Sequence, residues 1–288
     1  MVRPGSLPHE LNGRACCGAS VRDPRRGGRE DRLCAVISLA VCSAKGGVGK
    51  TSVVLGLASA ALHRGTSTLV VDLDPQADAT SGLDVIAQRE HDVAAVLRTP
   101  KRRVAEDAVA PSGWVDDQPG LLDVLTGSDA SADLDAPGSD EEALTALRRA
   151  LRKLDDHDLA LLDTPPSLNG LTRSAWRAAD AVLVVSDASR FSVAAVDRTL
   201  REVRALRNAP RVVGILVNRF VPRSGEQRFR YEELQSLFGD LVLEPVPDRV
   251  AVPQSQGAGV PLHALRTRPA QAVAGQFDAV LDRVLLQA

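Results

Sequence analysis

From residue 34 onward the apolar positions follow two alternating rhythms. Short, nearly continuous runs of Val, Ile, Leu and Ala occupy residues 35–42, 68–72, 159–162, 181–186, 212–217 and 241–246. Such runs suit strands buried on both faces of a parallel sheet. Between them, residues 50–63, 141–154, 193–207 and 231–238 space apolar side chains three and four apart, as amphipathic helices do. The alternation predicts an α/β fold: a doubly wound, mostly parallel sheet with helices on both faces.

Two stretches fall outside this rhythm. Residues 1–33 are rich in Gly, Pro and Arg, with seven Arg against four acids. They predict a disordered, mildly basic extension, which leaves residues 34–288 as one domain. Residues 104–147 carry eleven acids and no Lys or Arg. There the composition predicts a solvated insertion of loops around one short strand at 120–126.

Composition narrows the class. A chain of 288 residues, 44% hydrophobic and with a net charge of −2, can bury a full core. No apolar run approaches the roughly 20 residues that span a bilayer, and no charged-then-apolar start resembles a secretory signal, so a cytoplasmic protein is expected. Cys16, Cys17, Cys34 and Cys42 have no His beside them at ligand spacing, which favours reduced, unliganded thiols. Basic charge is carried almost wholly by Arg. Only four lysines occur, Lys45, Lys50, Lys101 and Lys153, and two of them flank one glycine loop.

That loop follows a predicted strand and opens a predicted helix, the context in which a glycine pattern becomes a phosphate site. Gly46, Gly47 and Gly49 let successive N–H groups, that of Val48 among them, converge on one anion, and the helix N-terminus adds its positive end. Lys50 is placed to reach the β and γ phosphates, Thr51 to ligate Mg²⁺, and Ser52 to border the nucleotide. The fit to G-x-x-x-x-G-K-[ST] is imperfect, because Ala44 stands at the first glycine. The next residue is a second cation, Lys45, which a loop already holding Lys50 does not need for its own phosphates.

The segment Lys45-Gly46-Gly47-Val48-Gly49-Lys50-Thr51 resembles the signature of the ParA/MinD superfamily of deviant Walker A P-loop ATPases, K-G-G-x-G-K-[ST]. The resemblance continues in family order. Leu69-Val70-Val71-Asp72-Leu73-Asp74-Pro75-Gln76 is similar to the second nucleotide motif. The strand ending in Asp163, before Thr164-Pro165-Pro166-Ser167, is similar to the Walker B region. Together these motifs cover residues 35 to 287. Later, Gly214-Ile215-Leu216-Val217-Asn218 and Pro245-Val246-Pro247-Asp248 resemble the segments that pack around the adenine.

The resemblance implies an ATPase in which Lys45 completes the nucleotide site of a second subunit and Asp74 places the attacking water. It further implies that Thr51, Asp72 and Asp163 serve Mg²⁺, and that Asn218, Pro247 and Asp248 meet the base. The closest match within the superfamily is to the ParA (Soj-like) partition ATPases, which implies an ATP-dependent homodimer, a ParB-type DNA-binding partner and nonspecific DNA binding. For DNA, Arg219, Arg223, Arg228, Arg230, Arg249, Arg266 and Arg268 are candidates. A MinD-like membrane or cell-positioning role is the alternative, but residues 277–286 carry an apolar stripe with a single basic residue, which fits core packing and no stable membrane binding. A dethiobiotin-synthetase-like ligase uses a similar loop and is a further alternative, as is a scaffold that binds nucleotide without hydrolysing it.

Overall fold

In the computed structural model, residues 36–85, 90–115, 121–154 and 156–287 are described, so the expected extension at 1–33 lies outside the described residues. The chain opens with β1 (Ile37–Cys42), α1 (Lys50–His63) and β2 (Thr68–Asp72), then passes through the short helices α2 (Asp78–Gly82), α3 (Val93–Arg98) and α4 (Arg102–Asp107). A hairpin-like pair, β3 (Val109–Pro111) and β4 (Leu122–Leu125), leads to α5 (Glu141–Leu151). From there strand and helix alternate: β5 (Leu159–Asp163), α6 (Gly170–Ala178), β6 (Ala181–Ser186), α7 (Ser192–Arg204), β7 (Arg211–Val217) and α8 (Gly225–Phe238). The chain closes with α9 (Ala251–Gly257) and α10 (Arg268–Gln287).

The seven strands form one sheet in the order β3-β4-β2-β5-β1-β6-β7, and only the edge strand β3 is antiparallel to its neighbour. Alternation along each strand divides two cores. Leu39 and Val41 face the layer that holds α1 and α10, whereas Ala40 and Cys42 face the layer of α5, α6 and α7. Near-continuous apolar runs are therefore legible as strands because both faces need covering. Parallel register brings the carboxyl ends of β1, β2 and β5 together, with Asp72 opposite Asp163 and Asp163 opposite Val41.

Three expectations need correction. Residues 241–246 form no ladder strand. They meet β7 at one isolated bridge, Ile215 with Val242, and a second bridge joins Phe220 to Pro247 just past both segments. Leu243 N–H and Val246 N–H donate to the Ile215 and Val217 carbonyls at 2.9 Å each, but Pro245 and Pro247 have no N–H with which to extend the pattern. The 104–147 stretch is not merely a solvated insertion, because it supplies β3 and β4 and fully buries Ala110, Leu122, Val124 and Leu125. In β4 the apolar Leu122, Val124 and Leu125 are buried, while Asp123 between them stays partly exposed. Helix α8 begins at Gly225, earlier than its periodicity indicates; the Ser224 hydroxyl accepts from Gln227 N–H at 3.3 Å and caps it.

Candidate nucleotide site

The loop between β1 and α1 is built around two left-handed glycines, Gly47 at φ 75° and Gly49 at φ 85°. A side chain at Gly49 would also strike the Asn218 amide, so this position is closed to any other residue for two separate reasons. No acid stands in the first turn of α1, which leaves its positive end free for an anion. The loop is held from three sides. Ala44 N–H donates to Thr199 Oγ1 on α7 at 3.2 Å. Asn218 Nδ2 donates to the Val48 carbonyl at 2.9 Å, and Arg219, itself left-handed at φ 55°, donates through Nη1 to the Gly47 carbonyl at 3.2 Å.

Lys50 is buried at the floor of the loop, and burial lowers its pKa while the charges of Asp163 and Asp74 pull it back up. Asp163 is fully buried, and neither of its oxygens finds a hydrogen-bond partner among the described residues. Burial pushes its carboxyl well above the ordinary range, with the Asp72 charge adding to the shift and the Thr51 hydroxyl and Lys50 ammonium opposing it. A buried carboxylate with open lone pairs beside a threonine hydroxyl is a donor set that fits a hard divalent cation such as Mg²⁺.

Asp72, also fully buried, has a different occupation. Its Oδ2 accepts from Thr80 N–H at 2.8 Å and Thr80 Oγ1 at 2.7 Å, and its Oδ1 from Asp74 N–H at 3.2 Å. Burial raises its pKa to about 6, against the hydrogen bonds from Thr80 and Asp74. Thr80 Oγ1 in turn accepts from Gly127 N–H at 2.9 Å, and a Cβ at Gly127 would lie 2.7 Å from the Asp72 carboxyl carbon. Asp72 thus ties the end of β2 to α2 and to the loop after β4, close behind Asp163. Asp74 emerges half-buried at the mouth, where its Oδ1 accepts from Gln76 N–H at 3.0 Å.

Beside the start of α1 opens a cavity of about 320 Å³, lined by Ser52, Asn218, Arg219, Pro247, Asp248 and Arg249 together with Gln256. The sequence-predicted adenine residues therefore converge on one hollow next to the phosphate loop. Gln256, on α9, donates through Nε2 to Ser52 Oγ at 3.1 Å and escaped the sequence reading, as did Thr80; no motif marks either one. Lys45 points elsewhere. Its Nζ lies 2.6 Å from Asp187 Oδ2 and 2.7 Å from Ser189 Oγ, both just beyond β6.

A phosphate loop between the first parallel strand and its helix, with acids at the neighbouring strand ends, defines a P-loop nucleoside triphosphatase. A family model described as an AAA domain matches residues 36–212. The chromosome-partitioning ATPase Soj of Thermus thermophilus is 36% identical over 253 residues, covering 85% of this chain and 96% of that protein. The chromosome partitioning protein ParA of Caulobacter vibrioides is 30% identical, covering 85% and 94%. An ATP complex of Cyanothece McdA shares the fold at a TM-score of 0.76 and 18% identity, over 88% of this chain and 98% of that one. The chain belongs to the ParA/MinD-type P-loop ATPases and is an ATPase.

Proposed function

We propose that this protein is a partition ATPase of the ParA kind. It binds ATP with Mg²⁺, pairs with a second copy around the two nucleotides, and hydrolyses ATP to drive segregation of plasmid or chromosomal DNA with a ParB-type partner. The observation that carries the reading is the pair of lysines with separate destinations: Lys50 buried beneath its own loop, Lys45 half-exposed at the rim. The names of the relatives from Thermus and Caulobacter support the partition role.

In this reading the loop amides and Lys50 bind the triphosphate. Thr51 and Asp163 would hold Mg²⁺, which when bound neutralises phosphate charge. Asp72 braces them from behind through Thr80. Asp74, at the mouth, orients the attacking water, while Asn218, Pro247 and Asp248 border the base. Phosphoryl transfer to water needs positioning and charge neutralisation more than covalent chemistry, and a cation supplied from another subunit contributes about 10³- to 10⁵-fold in related systems. Lys45 used across the dimer ties turnover to assembly. The ATP-bound dimer binds DNA nonspecifically through exposed arginines, which places it in the cytoplasm on the nucleoid.

The test pairs two substitutions. Lys45→Ala is expected to lose ATP-dependent dimerisation and turnover together, whereas Asp74→Ala dimerises with ATP but hydrolyses it slowly. Sizing chromatography with ATP and a phosphate-release assay read both, and a monomeric, fully active Lys45→Ala protein rules the reading out.

A further inference from the structure

Within one chain Lys45 is already engaged. Its ammonium is 2.6 Å from Asp187 Oδ2 and 2.7 Å from Ser189 Oγ, so two of its three protons have acceptors on the same subunit. Asp187 is itself set in place for this task. Its Oδ1 accepts from Ser192 Oγ at 2.7 Å and from Ser189 Oγ at 3.1 Å, which leaves Oδ2 turned to the lysine. Ser192 is fully buried at the first turn of α7, anchoring the cluster to the core. Burial tends to raise the Asp187 carboxyl, but Lys45 and the hydroxyls of Ser192 and Ser189 outweigh it and hold it below the usual carboxylate range. The pair is about one-third exposed on both sides, so it can open without disturbing the core.

We propose that Asp187 is a latch: it holds Lys45 on its own subunit and releases it only when the nucleotide phosphates of a second subunit compete for the ammonium. The inference rests on the cross-subunit reading of Lys45 and adds to it the group that sets its threshold. A lysine bound to Asp187 and Ser189 has one proton left and is drawn toward its own subunit, so serving a neighbouring phosphate with its full charge requires it to leave the pair. Every dimer therefore breaks two latches, one per subunit. Partly exposed ion pairs shift an equilibrium by up to about fivefold each. Two latches then shift dimerisation by up to about 25-fold. Such a latch keeps single subunits from pairing, and from wasting ATP, until they are concentrated together.

The experiment uses the full chain and follows dimer formation and phosphate release against protein concentration at saturating ATP. Asp187→Asn is expected to lower the concentration for half-maximal dimerisation and turnover by about 2- to 25-fold, with the plateau rate and the affinity of the single subunit for ATP unchanged. Asp187→Glu, which keeps the charge, is expected to restore the wild-type concentration to within about twofold. Ser189→Ala removes one acceptor of Lys45 and the weaker of two hydroxyl donors to Asp187 Oδ1 while the carboxylate itself stays, and a smaller shift in the same direction is expected even if Asp187→Asn folds poorly. An unchanged or higher half-maximal concentration in both Asp187→Asn and Ser189→Ala, with Lys45→Ala still defective, overturns the latch and leaves the cross-subunit reading standing. Normal pairing and turnover by Lys45→Ala remove that reading and the latch with it.

Discussion

The Asn218 side-chain amide donates to the Val48 carbonyl at 2.9 Å, so the end of β7 is fastened to the middle of the phosphate loop. The same amide occupies the space that a Cβ at Gly49 would need. The hollow beside α1 and the phosphate loop are therefore one mechanical unit. Gly49→Ala is expected to lower ATP affinity at least tenfold and to cost about 1–3 kcal/mol of stability, because it adds left-handed strain to the clash. Calorimetric titration and thermal melting measure the two effects. Asn218→Ala is expected to loosen the loop and to remove a donor and acceptor from the hollow where the proposed function sets the base. Wild-type protein should prefer ATP over ITP, and the variant should bind the two alike; a preserved preference would place base recognition elsewhere.

Removing Lys50 leaves Asp163 buried without its nearest cation. Lys50→Ala is expected to weaken ATP binding by about 10- to 100-fold, the usual range for a charge-assisted contact. The variant should also melt at lower temperature, because the Lys50 charge opposes the cost of burying the Asp163 carboxyl. A nucleotide-binding titration with a fluorescent ATP analogue provides the first readout, and unfolding followed by circular dichroism the second.

Asp72 makes stability fall as pH rises across one window. Its folded pKa of about 6 stands above the ordinary carboxylate value, so between about pH 4 and 6 the unfolded chain gives up this proton first. Its contribution is fully present below the unfolded pKa and is gone above the folded one, a change of about 3 kcal/mol. Urea unfolding at several pH values should show a more positive slope of stability against pH for Asp72→Asn than for wild type in that window. Equal slopes would mean that burial of this carboxyl is less costly than its surroundings imply.

The apolar stripe of α10 is committed to the core. Phe277 lies against α1 so closely that a Cβ at Gly56 would sit 2.5 Å from its ring, and Val273, Val280, Leu281 and Val284 are buried along the same face. Among the described residues no helix is long and apolar enough to cross a membrane. Phe277→Ala is expected to cost about 3–5 kcal/mol. Wild-type protein should stay in the supernatant when anionic vesicles are sedimented with ATP, and pelleting would favour the membrane-positioning alternative.

DNA binding should depend on ATP and decline steeply with salt, as phosphate contacts do. Arg223, Arg249, Arg266 and Arg268 are exposed, whereas Arg230 is held by Glu226 and Glu233 and has little charge to offer a phosphate. Arg249→Ala and Arg266→Ala are expected to reduce the slope of log affinity against log salt by about one each, while Arg230→Ala leaves it unchanged. Filter binding at several salt concentrations distinguishes these outcomes.

Most of the sheet's buried strands are legible in consecutive residues, because an element covered on both faces must be apolar along its whole length. The sequence by itself determined the phosphate loop for a similar reason: left-handed turns and a bare helix end demand glycines at fixed spacing, and the chain shows them at Gly47 and Gly49. Local chemistry of that kind is written in consecutive residues. It could not place residues 241–246, where the apolar run suggests a strand and two prolines withhold the N–H groups that a ladder needs. Nor could it find Thr80, Gln256 or Asp187, since each acquires its role from a partner 8 to 204 residues away. Where Lys45 points was decided only by the tertiary structure. The end of β6 and the start of α7 deliver a carboxylate and two hydroxyls to the lysine's side of the loop, and an ammonium takes the acceptors that folding brings within reach.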